Sequence, residues 1–563
     1  MRSSELAPKA ILFLFNKCQQ NINIAQNVTI AADSSPTLHG SYEQCLLGCG
    51  SGMGQVNFSQ NYDTWLLPWI SLMFHIPFSA ERPLDDVVSF LITMGSPALA
   101  AYSLQITHLN KCWITTAFLD VKYPNSKLVA TALAAFHHIP IKIEYKSPFL
   151  HSLIALAKND EYWSLLEPAN KTRQWSITLV LSVILAIISY ILTIANTIIS
   201  RGGNTGYGIA AIWTFLLPLV IGWLYIGYEP EPSHLRNCLA KANRNACVAT
   251  ERRDQPAEIT SPKAIEFAEE DDVDLSRNDE LKPVALFNYS RAFVTATNAE
   301  VLSSLVRKAA ANAKLRIPVS NCLRAEVQMR VGSREDAILP ANRVGTTDEV
   351  TGYCTMVLQP PEGNPEYRGT TDTAGTLREH GLITPCRWAP GIWKRVTVAS
   401  ILAIGLQWGT VGGAVLFSYS VPPTGLGCRS FSFLLYGAAG TLSFFLFLTS
   451  SVLAHMSRPP SGKIAARSFD TGAVICRRLG QSVAIVSGIG VLLLCFCEFV
   501  GLFDSCYCTS TAFDIGSVFV AFPGSAFLLD SSTVGLQVGG LAGAFLTAIS
   551  FGFSMYLGLP ARR

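Results

Sequence analysis

Charge is what this sequence has least of. Lys, Arg, Asp and Glu make up 15% of its 563 residues, against about 25% in ordinary soluble domains. That scarcity excludes the string of soluble domains that the length alone predicts. The net charge of +3 is too small to imply nucleic acid as a partner. The fifteen cysteines contain no CxxC pair and no zinc-finger spacing, so no thiol-redox motif and no structural zinc site is expected. The glycines of "GCGSGMG" (48–54) lack the GK[ST] of a P-loop and the strand–turn–helix setting of a dinucleotide site. A flexible outer loop is the reading there. A signal peptide is not expected either. Arg2 and Lys9 precede only "AILFLF" (10–15), which is shorter than the apolar core such a segment needs.

What is present is long apolar runs. Hydrophobic residues make up 49% and the mean hydropathy is +0.31. A bilayer core about 30 Å thick needs about 20 apolar helical residues. Six stretches meet this: 175–199, 209–228, 396–419, 431–455, 479–503 and 536–558. A seventh, 87–107, is long enough and uncharged, with Gly95-Ser96-Pro97 at its centre. The expected fold is therefore an all-α membrane protein, a polytopic bundle of about seven transmembrane helices. Spans 175–228 supply two helices and 396–558 four. A large, partly disordered cytoplasmic loop, 229–395, separates them.

Orientation follows from the basic residues in the loops. The 504–535 loop has no Lys or Arg. The 456–478 loop has Arg458, Lys463, Arg467, Arg477 and Arg478, and the chain ends Arg562-Arg563. The basic side is expected to be cytoplasmic. It takes residues 108–174, read as short amphipathic helices, the 229–395 loop and the tail 559–563. Residues 1–86 then lie outside the cytoplasm, and Asn27 and Asn57 become N-glycosylation acceptors. The uncharged stretch 64–80 between Asp63 and Glu81 is short for a span and is interrupted by Pro68 and Pro77. With Trp65 and Trp69 as anchors, it is expected to be an interfacial or re-entrant helix on the outer face. Six or eight spans, with the N-terminus inside, are the alternatives.

Within the 229–395 loop, the run Glu266–Glu280 carries eight carboxylates and reads as a solvated stretch. Residues 298–315 predict a helix with Asn298 as N-cap. The adjacent His137-His138 pair does not share a helix face, so no metal site is expected there.

Three features carry the candidate site residues. Glu498 is the one charged side chain inside the six strong spans, and an intramembrane acid is a functional candidate. Its place near the outer boundary favours snorkelling to water. Cys428, Cys506 and Cys508 fall on the same outer side, so a disulfide from Cys428 to one of the other two is expected. Gly405, Gly409 and Gly413, and likewise Gly535, Gly539 and Gly543, recur every four residues. Such spacing predicts close helix packing. No catalytic residue, cofactor site or metal site is read.

"WLLPWISLMFHIPF" (65–78), "SFLITMGSPALAAYSLQITHLN" (89–110), "LLEPANKTRQWS" (165–176) and "WTFLLPLVIGWLYIGY" (213–228) resemble a family of uncharacterised multi-pass integral membrane proteins of filamentous ascomycete fungi. The resemblance is strongest over 42–228. It implies a fungal membrane setting and transfers no functional residue; the expected location is the plasma membrane or a secretory-pathway membrane. Function is expected to be that of a non-enzymatic membrane sensor or scaffold, with the lipid bilayer and cytoplasmic proteins meeting 229–395 as its partners. A transporter or channel for an uncharged or lipid-like solute is the alternative. A receptor coupling to G proteins is disfavoured, because "GYEPEP" (227–232) follows 209–228 and the last span holds no Lys.

Overall fold

The structure is a computed structural model. It describes residues 37–41, 67–76, 83–138, 141–143, 148–166, 176–199, 207–226, 232–249, 257–258, 264–267, 289, 291–314, 319, 338–340, 343–355, 388–421, 426–457, 463–500, 502–504, 519–523 and 531–557. Asn27, Asn57, Cys506, Cys508 and most of the acidic run lie outside the described residues.

Strand β1 (Thr37–Ser41) comes first, then the short helix α1 (Leu67–Met73), α2 (Pro83–Gly95) and α3 (Pro97–Leu119). Next are α4 (Ser126–Ala135), β2 (Ile141–Ile143), α5 (Pro148–Ala155) and α6 (Asp160–Leu165). The long helix α7 (Ile177–Ile199) is followed by α8 (Tyr207–Trp213) and α9 (Leu216–Ile226). Helix α10 (Pro232–Arg244), strands β3 (Cys247–Val248), β4 (Ala257–Glu258) and β5 (Ile265–Phe267), α11 (Ala292–Lys314) and α12 (Thr347–Thr355) fill the middle of the chain. Helices α13 (Ile392–Ser420), α14 (Cys428–Met456) and α15 (Lys463–Phe499), strand β6 (Phe519–Pro523) and α16 (Ser531–Leu557) complete it.

The protein is a polytopic helical membrane protein. Six helical stretches are long and apolar enough to cross a bilayer: α7, α8 with α9, and α13, α14, α15 and α16. Helix α7 shows why these residues fold this way. Its large apolar side chains, among them Leu181, Ile184, Ile188, Ile191 and Leu192, face outward, while Ser182, Ala186, Ser189, Thr193 and Thr197 face the bundle. Water would reverse that arrangement; lipid favours it, because small residues let helices approach closely. Thr193 and Thr197 also donate to the carbonyls of Ser189 and Thr193, at 2.9 Å each, so their hydroxyls are satisfied within the helix.

The seventh expected span, 87–107, falls on a bent helix pair that passes together as one broken span or a re-entrant loop. Residues 87–107 are not one helix: α2 and α3 meet at Ser96 with a bend of 101°. Pro97 has no N–H to continue the ladder and restricts the residue before it. Ser96 accordingly leaves the helical region, at φ −140° and ψ 78°. Helix α3 then runs on to Leu119, through the beginning of the segment expected to hold separate amphipathic helices. Likewise α15 starts at Lys463, so Arg467, Asp470, Arg477 and Arg478 belong to a helix rather than to a loop.

The stretch 64–80 contains a short helix packed against its neighbours. Among the described residues of that stretch, 67–73 is helix, about 10 Å long. It is packed into the bundle against α7. Ser71 Oγ lies 2.7 Å from Ser182 Oγ, His75 Nε2 lies 3.3 Å from the same hydroxyl, and Trp69 meets the Tyr190 ring edge-on. Trp69 is 1% exposed, so its ring fills a gap between helices instead of anchoring at the headgroups.

Strand β1 pairs antiparallel with β6, Thr37 opposite Pro523. Residues 37–41 and 519–523 are therefore adjacent. A separate body of short helices joins two distant parts of the chain. Helices α4 to α6 pack with α10, α11 and α12, and β2 pairs with β5, Lys142 opposite Glu266. The described parts of 229–355 are thus folded against 126–166 rather than forming a free loop. Arg343 locks the body. Its Nη1 and Nη2 donate to the two oxygens of Asp160 at 2.9 Å each, and its Nε donates to Ala155 O at 3.1 Å. Asn159 binds both the N–H and the carbonyl of Cys247, at 2.8 Å each. Helix α11 begins at Ala292, so Asn298 is an interior residue and not an N-cap. Phe293, in the first turn, packs on Trp388 and Trp393, and that contact extends the helix upstream.

Candidate functional site

A polar seam runs from the helix break in the bundle to the body of short helices. It begins where Gly95 closes on α15. A Cβ on Gly95 would collide with the Ala484 carbonyl, and one on Gly488 with the Leu91 carbonyl. The absence of side chains brings the broken helix against its neighbour.

Backbone groups freed by a break inside a bilayer must find partners. Tyr436 Oη donates to Met94 O at 2.6 Å. Ala98 N–H donates to Gln407 Oε1 at 3.0 Å. Ser96 Oγ donates to Gly440 O at 2.9 Å. Gln407 Nε2 donates to Gly437 O and to Thr441 Oγ1, both at 2.8 Å. Gln407 stands in the middle of α13 and Tyr436 to Thr441 near the middle of α14, so the break is clamped deep in the apolar layer.

From there α3 descends with residues 97–108 buried on all sides, Ser103, Gln105, Thr107 and His108 among them. Intramembrane polar residues of this kind are costly and mark functional positions. The seam ends at Asn110. Its Oδ1 accepts from Arg395 Nε at 2.9 Å. Its Nδ2 donates to His137 Nε2 at 3.2 Å and to Ala292 O at 3.3 Å. One amide thereby joins α3, the body and the start of α13. Burial, with the Arg291 charge nearby, lowers the His137 pKa to about 3; the ring is neutral and Nε2 accepts. Arg395 also donates to Pro390 O at 3.1 Å, and its guanidinium lies over the Trp113 ring, 4.2 Å from the centroid. Phe293, Trp388, Trp393 and His455 form an aromatic cluster alongside, Trp388 and His455 being 4.7 Å apart. Ser451 Oγ donates to Tyr289 O at 2.8 Å and fixes α14 to the same junction.

The residues singled out from sequence lie elsewhere. Glu498 does not snorkel. Arg429 Nε and Nη2 hold its two oxygens at 2.8 and 2.9 Å, and its side chain is 3% exposed. In an apolar layer a paired carboxylate is far cheaper than a lone one. Cys428 is disulfide-bonded; its partner lies outside the described residues.

The glycine expectation needs correction on both helices. Gly409 and Gly413 do pack on α16, Gly409 against Thr547 and Gly413 against the Gly540 carbonyl. Gly405, Gly535, Gly539 and Gly543 face open space instead. The contact face of α16 is Gly540, Ala544 and Thr547, one residue round from the predicted stripe. Spacing of four recurs on several faces of a helix, and only the neighbour selects one.

Charge inside the spans, the sequence signal for buried function, passes over Gln407, Tyr436, Asn110 and Arg395. Gln407, a lone amide in "ILAIGLQWGTVGG" (401–413), was the available clue. Among the described residues, no three His, Cys, Asp or Glu side chains group as metal ligands. Comparison with protein-family models, with curated proteins and with solved structures finds no match.

Proposed function

We propose that this multi-pass membrane protein is a non-enzymatic sensor whose bundle controls an extramembrane body on the cytoplasmic, basic side. The observation that carries the reading is α3. It is one continuous helix of 23 residues, about 34 Å long, clamped by Gln407 at its first turn and by Asn110 near the body. A rigid element held at both ends gives the bundle a means of biasing the body, and coupling of this kind needs such an element. The body would present its outer surface to cytoplasmic proteins.

The test is Gln407→Leu in lipid nanodiscs, read by hydrogen exchange. Faster exchange over 126–138 and 292–314, in a protein that stays folded, is the expected result. Unchanged protection there refutes the coupling. A second reading, a transporter for an uncharged or lipid-like solute, is favoured by the broken helix at mid-bundle, the place where discontinuous helices form solute sites in transporters. Solute flux into proteoliposomes that Tyr436→Phe and Gln407→Leu reduce would favour transport over sensing.

A further inference from the structure

We propose that the junction between bundle and body binds a phosphate-bearing anion at the start of α13, held by Arg395. The argument rests on charge balance and does not need the sensor reading.

Two arginines with contrasting surroundings frame it. Arg343, 2% exposed, has a carboxylate: Asp160 accepts from both of its Nη groups, and main-chain carbonyls accept from Nε and Nη2. Arg395, 8% exposed, has none among the described residues. Its Nε and Nη1 bind neutral oxygens, and Nη2 is buried without a hydrogen-bond partner. Glu300 of α11 is the carboxylate whose charge acts on it, and among the described residues the two form no ion pair. A buried cation is costly unless it is paired.

Its place in the helix makes the imbalance worse. Arg395 is the fourth residue of the 29-residue α13, at the positive end of the helix dipole, where anions are favoured and cations are not. The adjoining Lys394 is exposed and adds a second cation to the same turn. A helix N-terminus with a buried guanidinium fork short of one acceptor suits a phosphate group. Trp393, also exposed, and the aromatic cluster beside it have the amphipathic character of a headgroup layer. Two sources of phosphate suit the site: the headgroup of an anionic lipid and a soluble phosphate.

The full-length protein in maltoside micelles distinguishes them. One arm titrates inorganic phosphate and a second titrates phosphatidic acid in mixed micelles. Chloride at matched ionic strength is the control, and native mass spectrometry with thermal unfolding is the readout. Wild type is expected to show saturable binding in at least one arm. Arg395→Gln should weaken it roughly tenfold to a hundredfold, the range for hydrogen bonds to a charged group, and Lys394→Gln should weaken it less. If Arg395→Gln does not fold, Arg395→Lys keeps the charge and loses the fork, and the same weakening is expected. Saturation by phosphatidic acid alone identifies a lipid site, and saturation by both identifies a general phosphate site. No saturable binding in either arm overturns the proposal. So does equal loss in Lys394→Gln, which means surface charge only. Binding that emerges only after residues 268–280 are deleted also overturns it, because the chain's own carboxylates would then hold Arg395.

Discussion

Replacing Gly540 by alanine tests the packing of α13 on α16 directly. A Cβ at Gly540 would stand 2.7 Å from the Gly413 carbonyl oxygen, and one at Gly413 would stand 2.5 Å from the Gly540 carbonyl oxygen. Ordinary contact begins at 3.4 Å. The helices must therefore separate by about 0.7 Å for Gly540→Ala and about 0.9 Å for Gly413→Ala, and the neighbour is main chain that cannot rotate away. Overpacking of this size costs about 1–3 kcal/mol. Gly539 and Gly543, one and three residues away, face open space. Alanine there adds no clash and gains up to about 1 kcal/mol of helix propensity. Reversible unfolding in mixed micelles, followed by tryptophan fluorescence, gives the four free energies. Gly540→Ala and Gly413→Ala should be destabilised, and Gly539→Ala and Gly543→Ala neutral or slightly stabilised. If Gly539→Ala or Gly543→Ala costs more than Gly540→Ala, the contact face has been assigned to the wrong stripe.

Glu498→Gln should destabilise the bundle by about 3 kcal/mol, because Arg429 is left without its carboxylate; Arg429→Met with Glu498→Leu should recover most of the loss, and a neutral Glu498→Gln would show that the pair contributes nothing. Burial lowers the pKa of His137 to about 3 and that of His151 to about 4, while the unfolded chain titrates near 6.5. The unfolded state therefore binds protons first as pH falls, so the body has its full stability above pH 6.5 and loses up to about 1.4 kcal/mol per histidine per pH unit on going down toward those values. Denaturant unfolding at pH 7 and pH 5 measures the loss, which His137→Asn should reduce; a stability independent of pH over that interval refutes the neutral assignment. Peptide mapping without reductant should join Cys428 to Cys506 or Cys508, and a bond from Cys428 to any other cysteine would refute that pairing.

The sequence by itself determined the class of protein and most of its helices. Runs such as 177–199 are so apolar that only a bilayer accommodates their outward faces, and hydropathy reads that property without any knowledge of neighbours. Pro97 also marked the weak point of 87–107, because its missing N–H is a local fact. Tertiary structure decided what depends on a partner. The 101° bend at Ser96 persists because Tyr436 and Gln407, more than 300 residues away in the chain, receive the freed backbone groups. Trp69 was readable as an interfacial anchor or as a packed ring, and the edge of Tyr190 chose the second. Glu498 alone predicts a site, whereas Glu498 beside Arg429 is a cross-brace between α14 and α15. Which glycines touch was equally beyond local pattern, since a four-residue repeat fits more than one helix face and only the approach of the second backbone picks Gly413 and Gly540. The polar seam was hidden for the same reason. Asn110, His137, Ala292 and Arg395 are separated by as many as 285 residues, and their chemistry exists only where the fold brings them together.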